Sequence, residues 1–179
     1  LGAGGYYALL VPVSAISVDV NPSLELSLNR LDRVISVEAF NPEGEALAST
    51  LDVAFLPYTQ ALEEILSSEA MSAYLAEDSA VSITVACDNP GKSAQLLSAA
   101  QACAQGCGRV YCHAGSSADL EGAHHAGMSV GKYRAFLALQ ALDPSVTAEE
   151  AQAMSMREIR SRIAALSGGE TETSSGQQS

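Results

Sequence analysis

The residues of this chain whose types and spacing could do chemistry lie near its start: Asp19, Asn21, Pro22 and Ser23. An Asn side-chain amide can attack its own backbone carbonyl, closing a succinimide and expelling the amine of the next residue. Geometry that holds the attacking conformer supplies much of the acceleration. Here the leaving atom is the Pro22 nitrogen, part of the tertiary amide in which twisting or a cis form costs least. Asp19, two residues earlier, could accept a proton or orient the amide. Ser23 offers a second route, in which its hydroxyl attacks the preceding carbonyl and the Pro22-Ser23 bond breaks through an ester. The Asn21 route is favoured. The competing reading is bland, since Asn-Pro is a common turn dipeptide and a proline can simply mark a corner or an edge-strand break.

The flanking pattern says what must position these residues. From Ile16 to Asn29, apolar side chains occupy Ile16, Val18, Val20, Leu24, Leu26 and Leu28, and polar ones fill the odd positions. That period of two is a strand signature. Pro22 falls where an apolar residue is due and cannot donate to a ladder, so two strands must meet at Asn21-Pro22. Residues 29–32 are expected as a turn and Val34 to Ala39 as a third strand. Asn41-Pro42-Glu43-Gly44 has the composition of a turn ending it.

Tyr58, Ala61, Leu62, Ile65 and Leu66 then fall at helical spacing, for a helix ending near Leu75. Val81, Ile83, Val85 and Cys87 alternate as a fourth strand. Asn89-Pro90 begins a helix, with Asn as cap and Pro in its first turn. Gly106 and Gly108 stop that helix, and Arg109 to His113 is a short fifth strand. Ser116 with Asp119, Thr147 with Glu150 and Ser155 with Glu158 read as capping pairs of later helices. The fold class expected is α+β: an antiparallel sheet of about five strands in the order β-β-β-α-β-α-β, one face covered by helices, with a C-terminal helical extension.

Nine Lys and Arg against twenty-one Asp and Glu give a net charge of −12. Such a chain repels a phosphate backbone, so nucleic acid is excluded as a partner. Cys87, Cys103, Cys107 and Cys112 cluster without a CxxC or zinc spacing. Buried free thiols are the favoured reading, a disulfide is open outside the cell, and metal binding has the least support. His124 and His125, adjacent on a helix, point to different faces. No cofactor and no metal-ligand set is indicated.

The run Ser17-Val18-Asp19-Val20-Asn21-Pro22-Ser23-Leu24-Glu25-Leu26, followed by Asn29-Arg30 and Val34-Ile35, resembles the domain outside the membrane in RsgI-type anti-sigma factors. Gly131-Lys132-Tyr133-Arg134 and Met156-Arg157-Glu158-Ile159 are also similar, and the likeness spans about residues 5–166. The resemblance implies a single-pass membrane protein whose absent cytoplasmic part holds a sigma factor of the sigma-I type. It implies self-cleavage at Asn21-Pro22, with the pieces staying associated until site and intramembrane proteases release the sigma factor. No charge appears from Leu1 to Val18, so residues 1–15 are expected as the outer end of a truncated transmembrane helix, the alternatives being a buried strand or an expression remnant. Residues 16–166 would be the extracytoplasmic domain and 167–179, rich in Gly, Ser, Thr, Glu and Gln, a disordered linker. The alternative function is an uncleaved structural or ligand-binding ectodomain; a hydrolase acting on other molecules lacks any triad or metal signature.

Overall fold

The computed structural model describes residues 3–76 and 80–169. A helix, α1 (Ala3–Leu10), leads into β1 (Ser14–Asp19), β2 (Ser23–Leu28) and β3 (Val34–Ala39), then α2 (Pro42–Ala48), α3 (Tyr58–Ser67) and α4 (Glu69–Ala76). These are followed by β4 (Val81–Ala86), α5 (Pro90–Cys103), β5 (Val110–Gly115), α6 (Ser117–His125), α7 (Val130–Leu142), α8 (Ala148–Ala153) and α9 (Met156–Gly169). The five strands form one sheet in the order β3-β2-β1-β4-β5. The expected α+β class and strand sequence hold.

Among the described residues, no helix is long and apolar enough to cross a membrane. Part of the expected linker is structured, because α9 continues to Gly169. The remainder lies outside the described residues.

The sheet is not wholly antiparallel as expected. β1 pairs antiparallel with both β2 and β4, and β2 with β3, but β5 runs parallel to β4. The cause is α5, a crossover helix that returns the chain to the same end of the sheet before β5 begins. Two local expectations also change. Asn41-Pro42 opens α2 instead of closing a turn, with the Asn41 side chain capping Gly44 N–H and Pro42 in the first turn. The helix expected to end near Leu75 breaks at Ser68, whose extended backbone separates α3 from α4.

The apolar face of the hairpin, from Ile16, Val18, Val20, Leu24, Leu26 and Leu28, forms the main core with Leu62, Ile65, Met71 and Leu96 of α3, α4 and α5. The four cysteines are free thiols, half-buried at the margin of this core. The polar face is buried as well, contrary to the expected single helical layer. Ser17, Asp19, Ser23 and Glu25 are all at most 6% exposed, because α6 and α7 lie across them.

The physical reason is at the start of α7, whose first N–H groups have no partner within the helix. Val130 N–H donates to Glu25 Oε2 at 3.2 Å and Gly131 N–H to Ser17 Oγ at 3.0 Å. Ser129 caps the helix by accepting from Lys132 N–H. Strand side chains thus satisfy a helix end, and the helix end satisfies buried strand side chains. A second small core, with Met128, Phe136, Leu139, Val146, Met154 and Ile159, packs α8 and α9 against the outer side of α7.

This docking needs a residue without a side chain at Gly131, where a Cβ would collide with Asp19 Oδ2 and Ser17 Oγ and press on Thr84 Oγ1. Gly131→Ala is therefore expected to destabilise the domain by about 1–3 kcal/mol, the usual cost of overpacking. Chemical denaturation of the variant beside the parent checks this; unchanged stability would mean that α7 does not sit so close.

Candidate functional site

Asp19, Asn21, Pro22 and Ser23 come together in one tight hairpin. Asp19 pairs with Ser23 as the last rung between β1 and β2, leaving Val20-Asn21-Pro22 as a three-residue loop. Val20 N–H donates to the Pro22 carbonyl at 3.2 Å. These four residues thus lie at the tip of the two strands that the alternation predicted.

Asp19 is fully buried. Its Oδ1 accepts hydrogen bonds from Ser23 Oγ and Ser129 Oγ, both at 2.5 Å, while Oδ2 is buried without a partner among the described residues. Desolvation pushes the Asp19 pKa up, opposed by the Ser129, Ser23 and Ser17 hydroxyls and by the attraction of Lys132. Desolvation likewise raises Glu25, opposed chiefly by its hydrogen bond and ion pairing with His124. Lys132, itself held below the ordinary lysine range by burial, donates to Gln152 O at 2.6 Å. Asp19 therefore touches Ser23, and its hydrogen bonds do not reach the Asn21 amide that it was expected to orient.

The residue that reaches the Asn21-Pro22 bond is Asn41, which sequence reasoning assigned to a turn. Its Oδ1 accepts from Ser23 N–H at 3.0 Å and from Gly44 N–H at 2.8 Å. Two N–H donors at one atom identify it as the oxygen, so the other is the amide nitrogen. That Nδ2 donates to the Asn21 carbonyl oxygen. Asn41 thus bridges Pro22, with the carbonyl before it and the N–H after it both held by one side chain. Ser129, from the start of α7, is the other missed member; its spacing to the hairpin in sequence gave no signal. Asn41-Pro42 gave one, as a helix cap, but which backbone it would touch depends on the turn from β3 into α2.

The Asn21 side chain is half-buried and makes no side-chain hydrogen bond among the described residues. It borders an open cleft of about 610 Å³ that is also lined by Ser23, Asn41 and Lys132, so water reaches the loop from that side. A carbonyl that accepts from the Asn41 amide, a neighbouring Asn21 amide without a side-chain hydrogen bond among the described residues, and a buried carboxyl on the adjacent hydroxyl can serve acyl-transfer chemistry within the chain.

Residues 13–138 match the model of the anti-sigma factor RsgI-like central domain. The chain belongs to that family. It is also 29% identical over 171 residues to anti-sigma-I factor RsgI7 of Acetivibrio thermocellus, a match covering 86% of this chain and 30% of that protein. The chain therefore spans less than a third of the curated relative, and the RsgI-like family match covers the sheet and both helical layers as far as α7.

The buried carboxyls fix the sign of a pH effect. Burial holds the Asp19 carboxyl above the ordinary aspartate range in the folded chain, so the folded state binds more protons. Stability is then greatest below about pH 4 for this group and declines as pH rises through the folded pKa. Glu25 acts in the same direction. Asp19→Asn removes one of the two titrations and should flatten part of the decline in stability from acid to neutral pH. Denaturation curves across that range check it, and an identical slope in the variant would refute the assignment.

Proposed function

We propose that this RsgI-like domain cleaves itself once, at Asn21-Pro22, and holds the two pieces together so that an extracellular signal can be passed across a membrane to a sigma factor. The observation that supports this reading is the Asn41 bridge. Its Nδ2 lies against the carbonyl that would be attacked, where negative charge develops in a tetrahedral intermediate.

In the proposed step, Asn21 Nδ2 bonds to the Asn21 carbonyl carbon, and Asn41 stabilises the oxyanion. The bond from that carbon to the Pro22 nitrogen then breaks. The attacking nitrogen loses a proton and the Pro22 nitrogen gains one, leaving a succinimide on the first fragment and a free prolyl amine on the second. Water in the adjoining cleft hydrolyses the succinimide later. Asp19 and Ser23 position the hairpin: their hydrogen bond fixes the rung beside the loop.

The Ser23 route keeps a specific observation in its favour, because Asp19 accepts from the Ser23 hydroxyl and Val20 N–H donates to the carbonyl that this hydroxyl would attack. It breaks a different bond and is separable by mass.

Around this domain the reading requires a membrane anchor before β1, with the domain on the extracytoplasmic side. A cytoplasmic segment would hold a sigma-I-type factor, and site and intramembrane proteases would act on the released anchor. The RsgI7 relative, named as an anti-sigma-I factor, supports the sigma-factor partner.

Time courses of freshly folded protein, followed by denaturing mass spectrometry, test the chemistry. Asn21→Ala should abolish cleavage and Ser23→Ala should preserve it. Asn41→Ser keeps a helix-capping hydroxyl but loses the bridge, and should slow cleavage by about 10²–10³-fold, the scale for removing one oxyanion donor. Cleavage at the parental rate in the Asn21 variant, or a cut after Pro22, would refute the Asn21 mechanism.

A further inference from the structure

On the polar face of the sheet, two residues along β2 from Ser23, three side chains from three different elements converge. Glu25 of β2 and Glu38 of β3 are directly opposite each other in the antiparallel ladder. Like charges so placed repel. His124, near the end of α6, brings its Nε2 to 2.7 Å from Glu25 Oε1. One oxygen of each carboxylate and one imidazole nitrogen all lie within 4.8 Å of one another.

The His124 ring is held for this role, since it stacks on Phe40 with ring centroids 6.2 Å apart and an interplanar angle of 21°. Glu25 is held as well, its second oxygen accepting from Val130 N–H. A hydrogen bond to the oxygen that does not ligate orients a ligating carboxylate. Glu38 is exposed, and His124 borders an open groove of about 1060 Å³, so an ion has a path in.

We propose that Glu25, Glu38 and His124 form a binding site for a borderline divalent cation of the zinc class. The donor set decides the class. One imidazole with two carboxylates suits Zn²⁺ or Co²⁺, whereas Ca²⁺ and Mg²⁺ seek six or more oxygens. Bonds of about 2.0–2.2 Å to a tetrahedral ion set donor atoms roughly 3.3 Å apart. Glu25 and His124 must therefore separate slightly and Glu38 must close in, which its exposed side chain can do by rotation. The ion replaces the hydrogen shared between His124 Nε2 and Glu25, leaving the ring proton on Nδ1, and a fourth position stays open to water. A bound cation would relieve the repulsion between Glu25 and Glu38 and join β2, β3 and α6, so it would fasten the α6–α7 layer to the sheet. The site is independent of whether Asn21-Pro22 is cleaved.

Titration calorimetry of the whole chain with Zn²⁺, and the visible spectrum with Co²⁺, test this. Expected are one saturable equivalent, a heat that changes with buffer as protons are released, and a rise in melting temperature on adding Zn²⁺. Glu38→Gln, an exposed change that leaves the Glu25–His124 contact in place, should weaken Zn²⁺ binding more than about tenfold, since even outer-shell changes reach that scale. His124→Gln should abolish the Co²⁺ spectrum. Absence of saturable Zn²⁺ binding, undiminished binding in both variants, or Ca²⁺ binding as tight as Zn²⁺ would each overturn the assignment.

Discussion

Everything in this domain depends on β1 being the middle strand of the sheet, buried on both faces. It is paired antiparallel along its length with β2 on one side and β4 on the other. Ile16 and Val18 enter the main core, and Ser17 and Asp19 face the start of α7. A break after Asn21 would leave this strand covalently attached only to what precedes it, yet still enclosed by two ladders and two helical layers. Burial of Ile16, Val18 and Val20 alone contributes on the order of 5 kcal/mol. Slow escape at rest and release under load are then compatible, because dissociation under force is a matter of rate.

The polar layer gives that arrangement its specificity. An apolar interface would hold α7 against the sheet with some freedom to slide. Here the Val130 and Gly131 N–H groups and the Ser129 hydroxyl each meet one particular strand side chain. A one-residue slip of β1 would turn Ser17 and Asp19 into the apolar core and leave these donors unpaired. The layer costs stability, since burial disfavours ionised Asp19 and Glu25. It fixes the register of the hairpin, and with it the position of the loop that Asn41 bridges.

Much of this was legible in the letters. The alternation from Ile16 to Leu28, broken at Pro22, gave the hairpin and its tip, and Ser116 with Asp119 and Thr147 with Glu150 form the capping boxes that their spacing suggested. What misled was the polar half of the alternation. The expectation of helices on one face of the sheet only left Ser17, Asp19 and Glu25 uncovered, because the partners that bury them lie more than a hundred residues away, at 129–131. No local pattern marks a helix end that will use strand side chains as its acceptors. The parallel β5 had a signal, strand followed by helix followed by strand. Asn41 was seen as a turn residue, and its contact with the Asn21 carbonyl depends on the tertiary approach of α2 to the hairpin.

The measurement that bears most directly on the proposed self-cleavage is the mass of the unmodified chain taken twice, once under native conditions and once after denaturation. The expected result is a single species with the summed mass in the native spectrum, and fragments 1–21 and 22–179 after denaturation, the smaller carrying a succinimide or its hydrolysis product. One intact chain in both spectra, persisting through prolonged incubation at neutral pH, would contradict self-cleavage. Separate fragments already present in the native spectrum would contradict the holding role assigned to β1.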